Sequence, residues 1–136
     1  MLKINSFKFQ DSLYNLFIAD AELLEIMGNP TDDEERNLRF RREDFDISEI
    51  DSENFPFMTI TFADANESDN CLRNIGILEI NIFTSTRYTA SVIYYIINKI
   101  IRYNLNDMKI ISEGQVYTGV RGMYCYRIRY NPVINA

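Results

Sequence analysis

The 136-residue chain contains no histidine, so it lacks the side chain best suited to general-base work and metal ligation near neutral pH. What remains is sparse. Glu79 interrupts the apolar run Ile77 to Phe83 and invites a nuclease carboxylate reading, but no lysine follows at short range to complete such a site. The run Thr31-Asp32-Asp33-Glu34-Glu35 offers oxygen donors for Mg²⁺ or Ca²⁺ without the spaced ligands and glycine of a calcium loop. Cys71 and Cys125 are too few for a disulfide framework and too widely separated for a close-spaced zinc pair, which leaves buried or idle thiols in a reducing compartment. Gly119-Val120-Arg121-Gly122 is too short to cradle a phosphate and reads as a hairpin turn, and no nucleophile elbow occurs. These residues predict no enzyme, no metal site and no cofactor.

Charge is more informative than chemistry. The net charge of −6 lies wholly within residues 31–54, where Asp32, Asp33, Glu34, Glu35, Glu43, Asp44, Asp46, Glu49, Asp51 and Glu53 face only Arg36, Arg39, Arg41 and Arg42. Such a run is ordinarily a solvated loop; its functional reading is a surface that sorts charged partners or repels polyanions. Within it, Leu38 and Phe40 alternate with Arg39 and Arg41, the period of a short strand or extended arm. Arg121, Arg127 and Arg129 interleaved with tyrosines could form a nucleic-acid platform, but core tyrosines beside exposed arginines are the plainer reading in so acidic a chain.

The elements that must position these groups follow from periodicity. Length and a 46% hydrophobic content predict one packed domain over residues 1–136. Phe9, Leu13, Leu16 and Phe17 share a helical face, capped at Asn5 or Ser6 and stopped at Gly28-Asn29-Pro30. Phe55-Pro56-Phe57 opens a strand that places Met58, Ile60 and Phe62 on one side. In the next strand Leu78, Ile80 and Ile82 form an apolar face, and Glu79, Asn81 and Phe83 a mixed one. Ser85, Thr86 or Thr89 can cap a helix whose stripe is Val92, Ile93, Ile96, Ile97, Ile100 and Ile101, with Tyr94, Tyr95, Asn98, Lys99 and Arg102 largely off it. Two strands joined by the Gly119–Gly122 turn complete the chain, with Tyr124, Tyr126, Ile128 and Tyr130 on one face and Met123, Cys125, Arg127 and Arg129 on the other. The expected fold is α+β: a mainly antiparallel four-stranded sheet with helices packed on one face. Its second face, polar yet partly aromatic, suits a surface covered by another subunit. Neither a leader-like start nor a run of roughly 20 apolar residues is present, so a cytoplasmic product with no membrane span is expected.

The layout "FPFMTITF", polar loop, "IGILEINIF", helix "ASVIYYIINKII" and final strand pair resembles the tail terminator, or tail-to-head joining, proteins of long-tailed bacteriophages, over about Phe55 to Tyr130. The resemblance implies a non-enzymatic virion protein at the head-tail junction, assembled in the bacterial cytoplasm. It implies a homohexameric ring that caps the tail tube protein, stops its growth and meets the head completion or connector protein, while DNA passes the lumen without specific binding. On that reading Arg39, Arg41, Arg42, Tyr94, Tyr95, Arg102, Arg127 and Arg129 are the expected subunit or partner contacts. Asp44, Asp46, Glu49 and Asp51 are expected at the lumen or docking rim, where carboxylates avoid holding the polyanion. The long acidic segment has no counterpart that the resemblance supplies. The other function class open to these residues is a small acidic inhibitor or immunity protein whose carboxylates block a basic partner.

Overall fold

A computed structural model describes residues 6–43, 45–46, 50, 52–64, 76–105 and 108–131. Helices α1 (Ser6–Ile18), α2 (Ala21–Ile26) and α3 (Asp33–Arg39) precede strand β1 (Phe40–Arg41); β2 (Phe57–Asp64) and β3 (Gly76–Thr84) follow, then α4 (Arg87–Asn104), β4 (Lys109–Val116) and β5 (Tyr124–Asn131). The strands form one sheet in the order β1-β2-β3-β5-β4, antiparallel throughout except that β1 runs parallel to β2. The α+β class is as the periodicities predict; the sheet differs, with five strands and a mixed direction. The additional strand, β1, is only two residues long, and its pairing of Phe40 with Met58 and Arg41 with Thr59 joins segments that no local pattern links.

Alternation within the strands sorts the core. On one face lie three cross-strand rows, Met58–Ile82–Tyr126, Ile60–Ile80–Ile128 and Phe62–Leu78–Tyr130, and against them pack α1 and α4. Leu13 and Phe17 of α1 and Ile93, Ile97 and Ile101 of α4 are fully buried there, each burial contributing about 1.5–3 kcal/mol. The isoleucine stripe outweighs the modest helix propensity of that residue, and Thr86 starts α4 by accepting the Thr89 amide at 3.2 Å. Of the three capping residues the sequence allowed, the structure uses Thr86.

The acidic segment is more structured than an arm. Asp32 caps α3 by accepting the Glu35 amide at 2.8 Å, and Asp33, Glu34 and Glu35 sit in its first turn, where the helix dipole favours negative charge. Leu38 therefore belongs to a helix and is exposed, correcting its expected place in a strand; only Phe40–Arg41 is extended. Phe40 turns into the main core against Tyr14 and Phe17. Arg41 turns to the opposite face, its guanidinium carbon 4.6 Å from the Phe57 ring centre. Gln10 of α1 continues the edge that so short a strand leaves open, donating to the Ile60 carbonyl at 2.7 Å.

Candidate interaction surfaces

The face of the sheet away from α1 and α4 is built in three rows. Phe57, Phe83, Cys125 and Val116 form the first, Thr59, Asn81, Arg127 and Gly114 the second, and Thr61, Glu79, Arg129 and Ser112 the third. The apolar row is covered. Phe45 meets Phe57 and Phe83 edge-on at 5.1 and 5.0 Å, and Ile50 and Phe55 pack beside them, so part of the acidic segment folds back over the sheet. The two polar rows form a connected network around one carboxylate. Glu79 accepts from Arg129 Nε at 3.1 Å and lies 3.3 Å from Arg127 Nε, while Asn81 accepts from Arg127 Nε at 2.9 Å and donates to Glu79 and to Thr59. The Glu79 side chain is 12% exposed against 35% and 39% for the two arginines, so the acid is sunk in the sheet and the bases form its lid.

In this geometry Glu79 is committed to ion pairs with two arginines that antiparallel register brings above it. The same contacts assign Arg127 and Arg129, expected at a subunit boundary, a definite internal partner. Arg39, Arg41 and Arg42 have internal partners as well. Arg39 passes over Gly28, whose φ of +92° belongs to glycine and where an added Cβ would stand 3.3 Å from the guanidinium. From there Arg39 Nη1 donates to the carbonyls of Asn54 and Pro56 at 2.8 and 3.0 Å. Arg41 donates to the Leu38 carbonyl, and burial followed by the Arg39 charge lowers its pKa from the ordinary guanidinium value. Arg42 pairs with Asp11, donates to Asn37 and covers the Tyr14 ring. Of the expected lumen residues, Asp46 is exposed and has an interaction within the chain; Asp44, Glu49 and Asp51, like Cys71, lie outside the described residues.

A second surface lies on the outer side of α4. Tyr88, Tyr95 and Tyr103 are 78%, 77% and 89% exposed. Their spacing of seven and eight residues keeps them on one side of the helix, since two turns take about 7.2 residues and the longer interval overshoots by only about a quarter turn. Between the last two lie Lys99 and Arg102, both exposed, and with Glu22 of α2 these residues border an open groove of about 650 Å³. The expected pair Tyr94 and Tyr95 is thereby divided. Tyr95 joins this side, whereas Tyr94 turns to the sheet, donates to Glu113 Oε2 at 2.7 Å and meets the Tyr126 ring edge-on at 5.5 Å. Burial, then the Glu113 hydrogen bond, pushes its phenol up to about 12. Tyr88 and Tyr103 were outside the sequence expectation; their offset from the isoleucine stripe was the signal that could have found them.

Among the described residues, no three His, Cys, Asp or Glu side chains converge where a metal ion could be held, and no helix is long and apolar enough to cross a membrane. No protein-family model matches this chain, and no curated protein matches it.

Proposed function

We propose that this chain is a non-catalytic assembly subunit whose work is self-association. The supporting observation is the outer face of α4: three tyrosines more than three-quarters exposed along one helix, beside two cations, where among the described residues the only other aromatic side chain so exposed is Tyr117 of the β4–β5 turn. Exposed aromatic rings of this kind cost little entropy to order and are enriched where protein surfaces meet. The finer reading follows the likeness to phage tail terminators: a ring, hexameric in that family, that caps the tail tube, halts its growth and joins it to the head connector. Exposed carboxylates of the 31–54 segment would then line the lumen or docking rim and let DNA pass without holding it.

The test is the mass of the purified full chain across concentration, together with its binding to isolated tail tubes seen by electron microscopy. Ring-sized particles, or particles seated on tube ends, support the reading. A chain that stays single alone and with tubes, yet binds a basic nuclease one to one, overturns it in favour of an acidic inhibitor.

A further inference from the structure

Two exposed patches of opposite charge lie on different elements of the fold. Helix α4 carries no acidic residue and bears Arg87, Lys99 and Arg102. The first turn of α3 carries Asp33, Glu34 and Glu35, all exposed, directly after the capping Asp32. α3 packs at the margin of the sheet against β1 and β2, whereas α4 lies over β3 and β5. We propose that the α4 groove bordered by Tyr95, Lys99, Arg102 and Tyr103 receives the acidic first turn of α3 from a second copy of this chain. This deepens the self-association reading and rests on it.

Three observations argue for that occupant. The cations of the groove stand beside two of the most exposed aromatic rings in the described structure, so the patch combines a charge to orient a partner with apolar area to hold it. The acidic turn is presented outward: Asp33 keeps 93% of its side chain exposed even while touching Arg36 at 3.4 Å. Its backbone is already fixed by the Asp32 cap and by Glu35 Oε2 accepting the Thr31 amide at 3.1 Å, so docking orders little further chain. Glu22 stands on the α2 wall of the groove and repels an acidic visitor there, which steers the incoming carboxylates toward the Lys99 and Arg102 side. Two unlike patches give a head-to-tail contact, which closes into a ring when its rotation permits.

A charge-swap series on the full chain tests the contact, with sedimentation as readout and circular dichroism as the folding control. Lys99→Glu/Arg102→Glu and Asp33→Lys/Glu34→Lys should each raise the dissociation concentration by about tenfold or more, and their combination should recover most of the loss, because only the pairing of signs is restored. All four positions are exposed, so the fold is expected to tolerate them. Variants that assemble like the unsubstituted chain overturn this contact and leave the ring reading standing. So does loss in both single-patch variants without recovery in the combination, which shows that the two patches meet other surfaces of the neighbouring copy rather than each other. An unsubstituted chain that never associates overturns both.

Discussion

Replacing Glu79 with glutamine keeps the shape of the side chain and removes the charge that Arg127 and Arg129 share. With charge centres about 4 Å apart and an effective dielectric near 20, each pair is worth about 4 kcal/mol of attraction before screening. Water reaches the arginines, which are 35% and 39% exposed, and that lowers the figure. Exposed pairs contribute about 0.2–1 kcal/mol, whereas removing one partner of a buried pair costs about 3–5. An acid that is 12% exposed beneath two half-open bases falls between these limits, and a loss of about 2 kcal/mol is expected. The register makes the change worse than a single broken pair, because Arg127 and Arg129 are next neighbours on one strand face and are left with like charges side by side. Urea unfolding should show the midpoint falling by about 1 M with an unchanged slope, and thermal unfolding a drop of about 7 °C. Adding Arg129→Met should return part of the loss by removing the stranded cation. A cost below about 0.5 kcal/mol would refute the reasoning, since that is the value of a pair held in open water.

Other outcomes follow from the same packing. The fold favours the neutral phenol of Tyr94, so its contribution is complete below pH 10 and is lost as pH rises toward about 12; Tyr94→Phe should make the alkaline limb of urea midpoint against pH shallower, leaving the part that Cys125, Tyr126 and Tyr130 supply, and an unchanged limb would count against a Tyr94 phenol raised by burial and the Glu113 bond. Burial pushes the Cys125 thiol up to about 11 and leaves it 2% exposed, so in a Cys71→Ser background maleimide labelling should be slower by about a hundredfold than in urea. Phe45→Ala removes two edge-on ring contacts and should cost about 2 kcal/mol while exposing the chain beside Phe45 to limited proteolysis, with an unaltered cleavage pattern the adverse result.

The parts of the fold that were legible in the sequence are those where one period runs long enough to choose a face. Leu78, Ile80 and Ile82 alternate strictly with Glu79 and Asn81, and Ile93, Ile97, Ile100 and Ile101 keep helical spacing; both patterns are used as written. The final hairpin was legible because Gly119 and Gly122 take φ of +75° and +82°, which the residue type anticipates. Helix α3 was hidden because it buries nothing: with no apolar stripe, its signature is the Asp32–Glu35 cap alone. The short strand read from the alternation over residues 38–41 survives only as Phe40–Arg41, and its partner was hidden because parallel pairing to a strand that begins at Phe57 is a tertiary event. The arginines were visible as candidates, but their partners were not. The meeting of Arg127 and Arg129 with Glu79 depends on β3–β5 register, and the meeting of Arg39 with Asn54 depends on the space left above Gly28.

These pairings change what the composition says about charge. Arg39, Arg41 and Arg42 are spent within the subunit, on carbonyls, ring faces and Asp11. They pin the acidic segment to the sheet, and the first turn of α3, with Asp33, Glu34 and Glu35 exposed, keeps an acidic outer side. α4, free of acids, is correspondingly positive. The molecule is therefore electrically lopsided, and the lopsidedness acts over a short range, because exposed charges are screened beyond about 8 Å at physiological salt. In the proposed contact between copies, charge accordingly sets the orientation of final approach, and Tyr95 and Tyr103 supply most of the holding energy through the area they bury. Added salt should then slow association more than it speeds dissociation, the division expected when steering is ionic and adhesion is apolar.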